Sequence, residues 1–100
     1  MGTAVIRYRT RPEAAEENQR LIGRVFAELA ATAPAGLRYS AFRLADGVTF
    51  VHVVDGEGLQ KLAAFGEFQR TLVDRLDGDP VREEVTALGA YPGTGPADRG

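Results

Sequence analysis

The sequence predicts one α+β domain with the element order βαββαβ, and three observations carry that reading. Two segments repeat apolar residues at three- and four-residue intervals, the mark of an amphipathic helix. Four shorter segments alternate residue by residue, the mark of a strand. Two of those four flank Asp46-Gly47, a dipeptide that favours a tight hairpin turn. A chain of 100 residues has room for one domain and one modest core.

The first strand runs from Thr3 to Arg9. Ala4, Ile6 and Tyr8 point to one face and Val5, Arg7 and Arg9 to the other. Pro12 then fits the first position of a helix, where a missing N–H is harmless. Glu13, Glu16 and Glu17 suit the positive end of the helix dipole, and Glu16 and Arg20 are spaced for an i,i+4 pair. Leu21, Ile22, Val25, Phe26, Leu29 and Ala30 make the apolar stripe, and Pro34-Ala35-Gly36 stops the helix, so it spans about Pro12 to Thr32.

Leu37 to Leu44 and Val48 to Val54 are the hairpin strands. A two-residue type I′ loop at Asp46-Gly47 places Ala45 opposite Val48, Arg43 opposite Phe50 and Ala41 opposite His52. After the polar turn Asp55-Gly56-Glu57-Gly58, apolar residues recur from Leu59 to Leu76 and predict a second helix, with Gly66 as a weak point or break. Asp77-Gly78-Asp79-Pro80 ends it. Glu83 to Tyr91 reads as the last strand, closed by Pro92. Residues 1–92 then form the domain, and the polar Gly/Pro-rich segment 93–100 is expected to be a disordered tail. As a split βαβ pair this order gives a ferredoxin-like fold. It has a four-stranded antiparallel sheet of order 4-1-3-2 with two helices on one face.

Two helices cover one face of such a sheet, yet neither face is polar. Phe42, Leu44, Val51 and Val53 share one side of the hairpin, and Tyr39, Ala41, Phe50 and Val54 share the other. A second copy stacked sheet to sheet is the simplest cover, so a homodimer is expected.

Composition excludes several functions. With 12 basic and 14 acidic residues the net charge is −2, so nucleic acid is not an expected partner. Without cysteine there is no disulfide, thiolate metal site or cysteine nucleophile. The single histidine rules out a multi-histidine metal site within one chain. No apolar run approaches the roughly 20 residues that span a bilayer, so no membrane partner is expected. No basic n-region precedes an apolar stretch, so the expected location is the cytoplasm.

Few side chains remain that could carry chemistry. Ser40 is the only serine, and the hairpin register puts it on the face opposite His52, which breaks any Ser-His-Asp triad. Asp77-Gly78-Asp79 lacks the later ligands of a cation loop. Gly93 and Gly95 do not form a dinucleotide fingerprint, because position 98 is Asp. His52 has Ala41 across the ladder and Tyr39 and Arg43 as diagonal neighbours. An imidazole flanked by a phenol and a guanidinium can floor a polar pocket, or it can be a satisfied histidine at a dimer interface. Arg7 and Arg9 could clamp an anion or serve as interface arginines. Phe26, Phe65 and Phe68 are expected in the core, where an apolar cleft could open.

The element order, the segment Ala41-Phe42-Arg43-Leu44-Ala45-Asp46-Gly47-Val48-Thr49-Phe50-Val51-His52-Val53 and the run Ala64-Phe65-Gly66-Glu67-Phe68-Gln69 together resemble the antibiotic biosynthesis monooxygenase-like proteins of the dimeric α/β-barrel superfamily. The resemblance covers the chain to about Tyr91. It implies a homodimer whose two sheets form a barrel, and a ligand cavity between sheet and helices. Some members oxygenate phenols or quinols with no bound metal or flavin, and others degrade haem. The chain has no tryptophan, so the Asn/Trp/His haem-degrading set cannot be assembled, and its second helix lacks the histidine of the quinol-oxidising members.

Two functions compete at this level. One is a cofactor-independent oxygenase with no metal, acting on a small aromatic phenol or quinol. His52 is its candidate general base, Arg43 its oxyanion stabiliser and Tyr39 a third site residue. The other is a non-catalytic homodimeric module that binds a small ligand or only itself. A deep cavity reached by a titratable side chain favours the first, and a cavity filled with Phe and Leu side chains favours the second.

Overall fold

The computed structural model describes residues 2–91. Strand β1 (Thr3–Arg9) leads through a 3-10 turn at Pro12–Ala14 into helix α1 (Ala15–Thr32). Strands β2 (Arg38–Arg43) and β3 (Thr49–Asp55) form the hairpin. A 3-10 turn at Leu59–Lys61 precedes helix α2 (Ala63–Leu72), and strand β4 (Val81–Val85) completes the sheet. All pairs are antiparallel and the order is β2-β3-β1-β4, which is the expected 4-1-3-2 read from the other edge. The fold is ferredoxin-like.

The core lies between one sheet face and both helices. Tyr8 and Phe50 come from the sheet, Leu21, Ile22 and Val25 from α1, and Phe65 and Phe68 from α2. This is the stripe-against-alternation packing that the two periodicities require. The opposite face carries Val5, Val51, Val53, Phe42, Val81 and Val85, with Phe42 and Val81 each 56% exposed. The sheet therefore carries apolar residues on both sides, interleaved on the open one with Arg7, Arg9, Arg38, Ser40 and Glu83.

The hairpin keeps its expected register through a different turn. Ala41 pairs with His52 and Arg43 with Phe50. Asp46, however, does not take positive φ; only Gly47 does, at +81°. Gly47 N–H donates to Leu44 O (2.9 Å), and Leu44 N–H donates to Thr49 O (2.8 Å). The loop thus holds four residues, Ala45 to Val48, and is not type I′. Asp46 organises it by accepting bonds from the N–H groups of Val48 and Thr49 and from the Thr49 hydroxyl. Those donors hold its carboxyl down at about 2. Adding one residue on each side of a loop leaves the pairing unchanged, which is why the register survives.

Three other expectations are corrected. The second helix does not run from Leu59 to Leu76. Leu62 is extended (ψ 132°), and α2 starts after it, where the Glu28 carboxylate of α1 accepts bonds from the N–H groups of Ala63 and Ala64. That carboxylate supplies the cap that α2 lacks in its own sequence. Gly66 sits inside the helix without breaking it. Beyond Leu72 the chain is pulled onto the end of β1: Leu76 bridges Thr10, and Asp77 N–H donates to Arg9 O. The last strand is Val81–Val85 and not Glu83 to Tyr91. It pairs with β1 from Arg7↔Val81 to Thr3↔Val85. Arg20 bonds Glu17, and Glu16 pairs instead with Arg43. The expected tail, 93–100, lies outside the described residues.

Helix α1 ends on Ala33 in the left-handed region (φ 45°, ψ 56°), its N–H donating to Leu29 O. That conformation costs a residue with a Cβ roughly 1–2 kcal/mol, and glycine almost nothing. Ala33→Gly should therefore raise the unfolding free energy by about 0.5–1 kcal/mol in urea titrations. Unchanged or lower stability would show that Ala33 is not strained.

Candidate functional site

The candidate site is built on three neighbouring strands. Ile6, His52 and Ala41 lie side by side on the helix-covered face, on β1, β3 and β2. Tyr8 comes two residues after Ile6 and Tyr39 two before Ala41, so both are diagonal to His52 and within reach of its ring. Ala41 is small enough to leave that space open. The Tyr8 hydroxyl lies 2.7 Å from His52 Nε2, and the Tyr39 hydroxyl lies 2.6 Å from His52 Nδ1. Both ring nitrogens are therefore occupied.

The chain of bonds continues inward. Asn18 on α1 donates from Nδ2 to the Tyr8 oxygen (2.9 Å). Arg75, just past α2, donates from Nε to Asn18 Oδ1 (2.8 Å), from Nη1 to Thr71 Oγ1 (2.6 Å) and from Nη2 to Phe68 O (3.0 Å). Its guanidinium also lies over the Phe68 ring, 5.1 Å from the centroid. Five polar side chains thus run in line from Arg75 to Tyr39. Tyr8, Asn18, His52 and Arg75 are all buried.

Burial sets their protonation. His52, 4% exposed, is pulled from the ordinary imidazole value of 6.5 down to about 4 and is neutral near pH 7. The Tyr8 phenol is pushed up to about 12 by burial, against the pull of the Asn18 bond and the Arg75 charge. Tyr39 is pushed up further by burial and by Tyr8. Burial also lowers Arg75, whose bonded partners are all neutral oxygens.

A cavity of about 160 Å³ opens beside this chain, between the sheet and α2. Ala4, Ile6 and Val54 floor it, and Phe65, Phe68 and Leu72 roof it. Tyr8, Tyr39 and His52 form its polar wall, and the exposed side chains of Gln60, Gln69 and Arg82 stand at its rim. Among the described residues no group of three His, Asp or Glu side chains could hold a metal ion, and no helix is long and apolar enough to cross a membrane.

Of the sequence candidates, His52 and Tyr39 come together and Arg43 does not. Arg43 turns away to Glu16, Gln19 and the carbonyl of Gly47, over the Phe50 ring. Glu16 and Gln19 stand on the α1 turn above it and outcompete the imidazole for its donors. Arg7 and Arg9 lie on the open face, away from the cavity. Ser40 is on that face too. Sequence reasoning missed Tyr8, Asn18 and Arg75. Asn18 did leave a signal: it precedes Leu21, Ile22 and Val25 by three, four and seven residues and so belongs to the buried stripe.

No family model matches the chain, and no curated protein does. Solved structures do share its fold. Rv0793 from Mycobacterium tuberculosis superposes with a TM-score of 0.69 at 18% identity, over 90% of this chain and 98% of that one. A crystal structure named as an antibiotic biosynthesis monooxygenase gives a TM-score of 0.71 at 16% identity, over 89% of this chain and all of that one (100%). A mutant of SnoaB from Streptomyces nogalater, described as a cofactor-independent oxygenase, gives 0.63 at 18% identity, over 90% and 95%. The chain is similar to these proteins along nearly its whole described length. At such identities the likeness establishes the fold.

The neutral buried imidazole makes stability pH-dependent. The unfolded chain binds a proton at His52 near pH 6.5, and the folded chain only near 4, so between these values acid favours unfolding. Unfolding free energy should fall by about 3 kcal/mol as pH drops from 6.5 to 4. Most of this slope should vanish in His52→Gln, because Asp46 titrates in a lower window. Parallel slopes for the two proteins would show that His52 charges freely in the folded state.

Proposed function

We propose that this protein is a cofactor-independent oxygenase of the antibiotic biosynthesis monooxygenase-like kind, acting on a single-ring phenol or quinol. The observation behind the proposal is the hydrogen-bonded Tyr8–His52–Tyr39 wall facing a cavity with an apolar floor and roof. An apolar cavity of roughly 150 Å³ accommodates a benzene ring. At about 160 Å³ this one suits a single ring with its oxygen against Tyr39.

The substrate enters as its phenolate, having left its proton in solvent. Tyr39 donates a hydrogen bond to the anionic oxygen, as an oxyanion hole does. The electron-rich ring reduces dioxygen, and a C–O bond forms at a ring carbon to give a hydroperoxide. O–O cleavage then expels the distal oxygen as water, taking the hydrogen of that carbon and a proton passed by Tyr39 and replaced from solvent. The sum is phenol plus O₂ to quinone plus water, a four-electron oxidation of the substrate. His52 serves here behind Tyr39 rather than as the base, since both its nitrogens are engaged and its basicity is low. Arg43 takes no part.

The protein acts as a homodimer through the open sheet face. Soluble monomers seldom expose a contiguous apolar patch beyond roughly a few hundred Å². Here Phe42, Val51 and Val81 lie in one row across the sheet, interrupted only by Arg7. A second reading, a non-catalytic module binding a small aromatic ligand, is favoured by the complete internal pairing of His52.

Oxygen uptake with a panel of single-ring phenols and quinols separates the two. The enzyme consumes O₂ and forms quinone in air, and Tyr39→Phe lowers kcat about 10²-fold. Binding without uptake across the panel supports the module instead. Light scattering at micromolar concentration should give twice the 10.7 kDa chain mass, and Phe42→Glu should move it toward one copy. A wild-type monomer would overturn the dimer.

A further inference from the structure

The bonds between Arg75 and the cavity have a direction, and it can be worked out from which groups are able to donate. A guanidinium only donates. Arg75 Nε faces Asn18 at 2.8 Å, so the carboxamide must present its oxygen there. Its NH₂ then points at Tyr8 and donates to the phenol oxygen at 2.9 Å. The Tyr8 proton must find an acceptor in turn, because a buried hydroxyl without one is destabilising. His52 Nε2, at 2.7 Å, is that acceptor. A neutral imidazole with a bare Nε2 carries its proton on Nδ1. Nδ1–H therefore donates to the Tyr39 oxygen at 2.6 Å, and the Tyr39 proton is left over for whatever occupies the cavity.

We infer that Arg75 and Asn18 are positioning residues that lock His52 in its Nδ1–H form and make Tyr39 a hydrogen-bond donor, so that the cavity selects a ligand with an acceptor oxygen, a phenolate or a quinone carbonyl, over a neutral hydroxyl. The ligand half of this inference rests on the proposed use of the cavity. Every bond in the chain points the same way, so the dipoles add and the protonated end meets the ligand. The guanidinium charge stands at the far end and reinforces that sense. In the opposite polarity Tyr8 would accept from both Asn18 and His52, and its own proton would have no protein acceptor among the described residues. Tyr39 would then offer the cavity only a lone pair.

His52 is the only histidine, so its two ring nitrogens can be read by ¹⁵N NMR without assignment. The wild type should show a protonated Nδ1 and a bare Nε2. Asn18→Asp replaces the donor facing Tyr8 by an acceptor, which draws the Tyr8 proton and should move the imidazole proton to Nε2. Tyr8→Phe removes only the hydroxyl that holds Nε2 bare. It should give a mixture of tautomers in a chain whose Asn18 and Arg75 are intact, which covers the case in which Asn18→Asp does not fold. 4-Nitrophenol reports the ligand half by its absorbance. Bound to the wild type it should ionise more easily than in water, and in Asn18→Asp the preference for the anion over the neutral phenol should fall at least tenfold. A protonated Nε2 in the wild type, or a folded Asn18→Asp that keeps Nδ1–H, overturns the positioning role whether or not any phenol is turned over. Bound nitrophenol that ionises less easily than in water overturns the donor assignment. Failure of nitrophenol to bind at millimolar concentration overturns the ligand half together with the cavity's proposed use, and leaves the tautomer result standing by itself.

Discussion

An imidazole removed from water needs a partner on each ring nitrogen, and that requirement organises the middle of this fold. Leaving either nitrogen bare in the core would cost on the order of 1–3 kcal/mol. Tyr8 on β1 and Tyr39 on β2 meet the need from opposite sides of β3. The arrangement works only if three strands are adjacent in the order β2-β3-β1 and both ladders are in register. A slip of one residue in either ladder would send a tyrosine to the open face and strand one nitrogen. The polar chain thus specifies the pairing as strictly as the apolar residues do. It also links both helices to the sheet, through Asn18 on α1 and Arg75 beyond α2.

The element order and the hairpin were legible because each rests on local chemistry. Alternation, stripe spacing and the Asp46-Gly47 dipeptide are read within a few residues, and the strand order follows from the split βαβ pattern. The ends of α2 and β4 were not legible, because non-local partners decide them. Apolar periodicity continues to Leu76, but Leu76 is claimed by Thr10 and Asp77 by Arg9 O. The N-terminal limit of α2 comes from a carboxylate thirty-five residues earlier, Glu28 bonding Ala63. Strand β4 ends with its ladder to β1, at the Thr3↔Val85 pair. In each case the local pattern continues past the point where a tertiary partner ends it.

The site divides along the same line. His52 and Tyr39 belong to one hairpin, and a turn sets their relation, so sequence alone could join them. Tyr8 sits on β1, whose register against β3 no turn defines, and its role depends on a long connection through α1. Arg43 satisfied the same hairpin geometry as Tyr39 yet left the site. A flexible arginine follows the best acceptors within its reach, and α1 supplies Glu16 and Gln19. Tyrosine is stiffer, and Tyr39 is held in place by stacking on Phe26 with ring centroids 5.0 Å apart. Rigid side chains were placed correctly from strand parity, and a long one was not.

A five-membered polar chain is an expensive way to fill the interior of so small a protein. Apolar side chains of similar volume would often stabilise such a core as well or better. Asn18 interrupts the apolar stripe of α1, and Arg75 is a buried cation held only by neutral oxygens and an aromatic face. Departures from an apolar core concentrate where a protein does something other than fold. Here they share one more property: they end at a hydroxyl in the wall of a cavity. Had structural specificity been their only role, the chain could have ended on a backbone carbonyl, as Arg75 does at Phe68. Its termination on Tyr39, beside a cavity of about 160 Å³, is the feature on which the proposed use of that cavity rests.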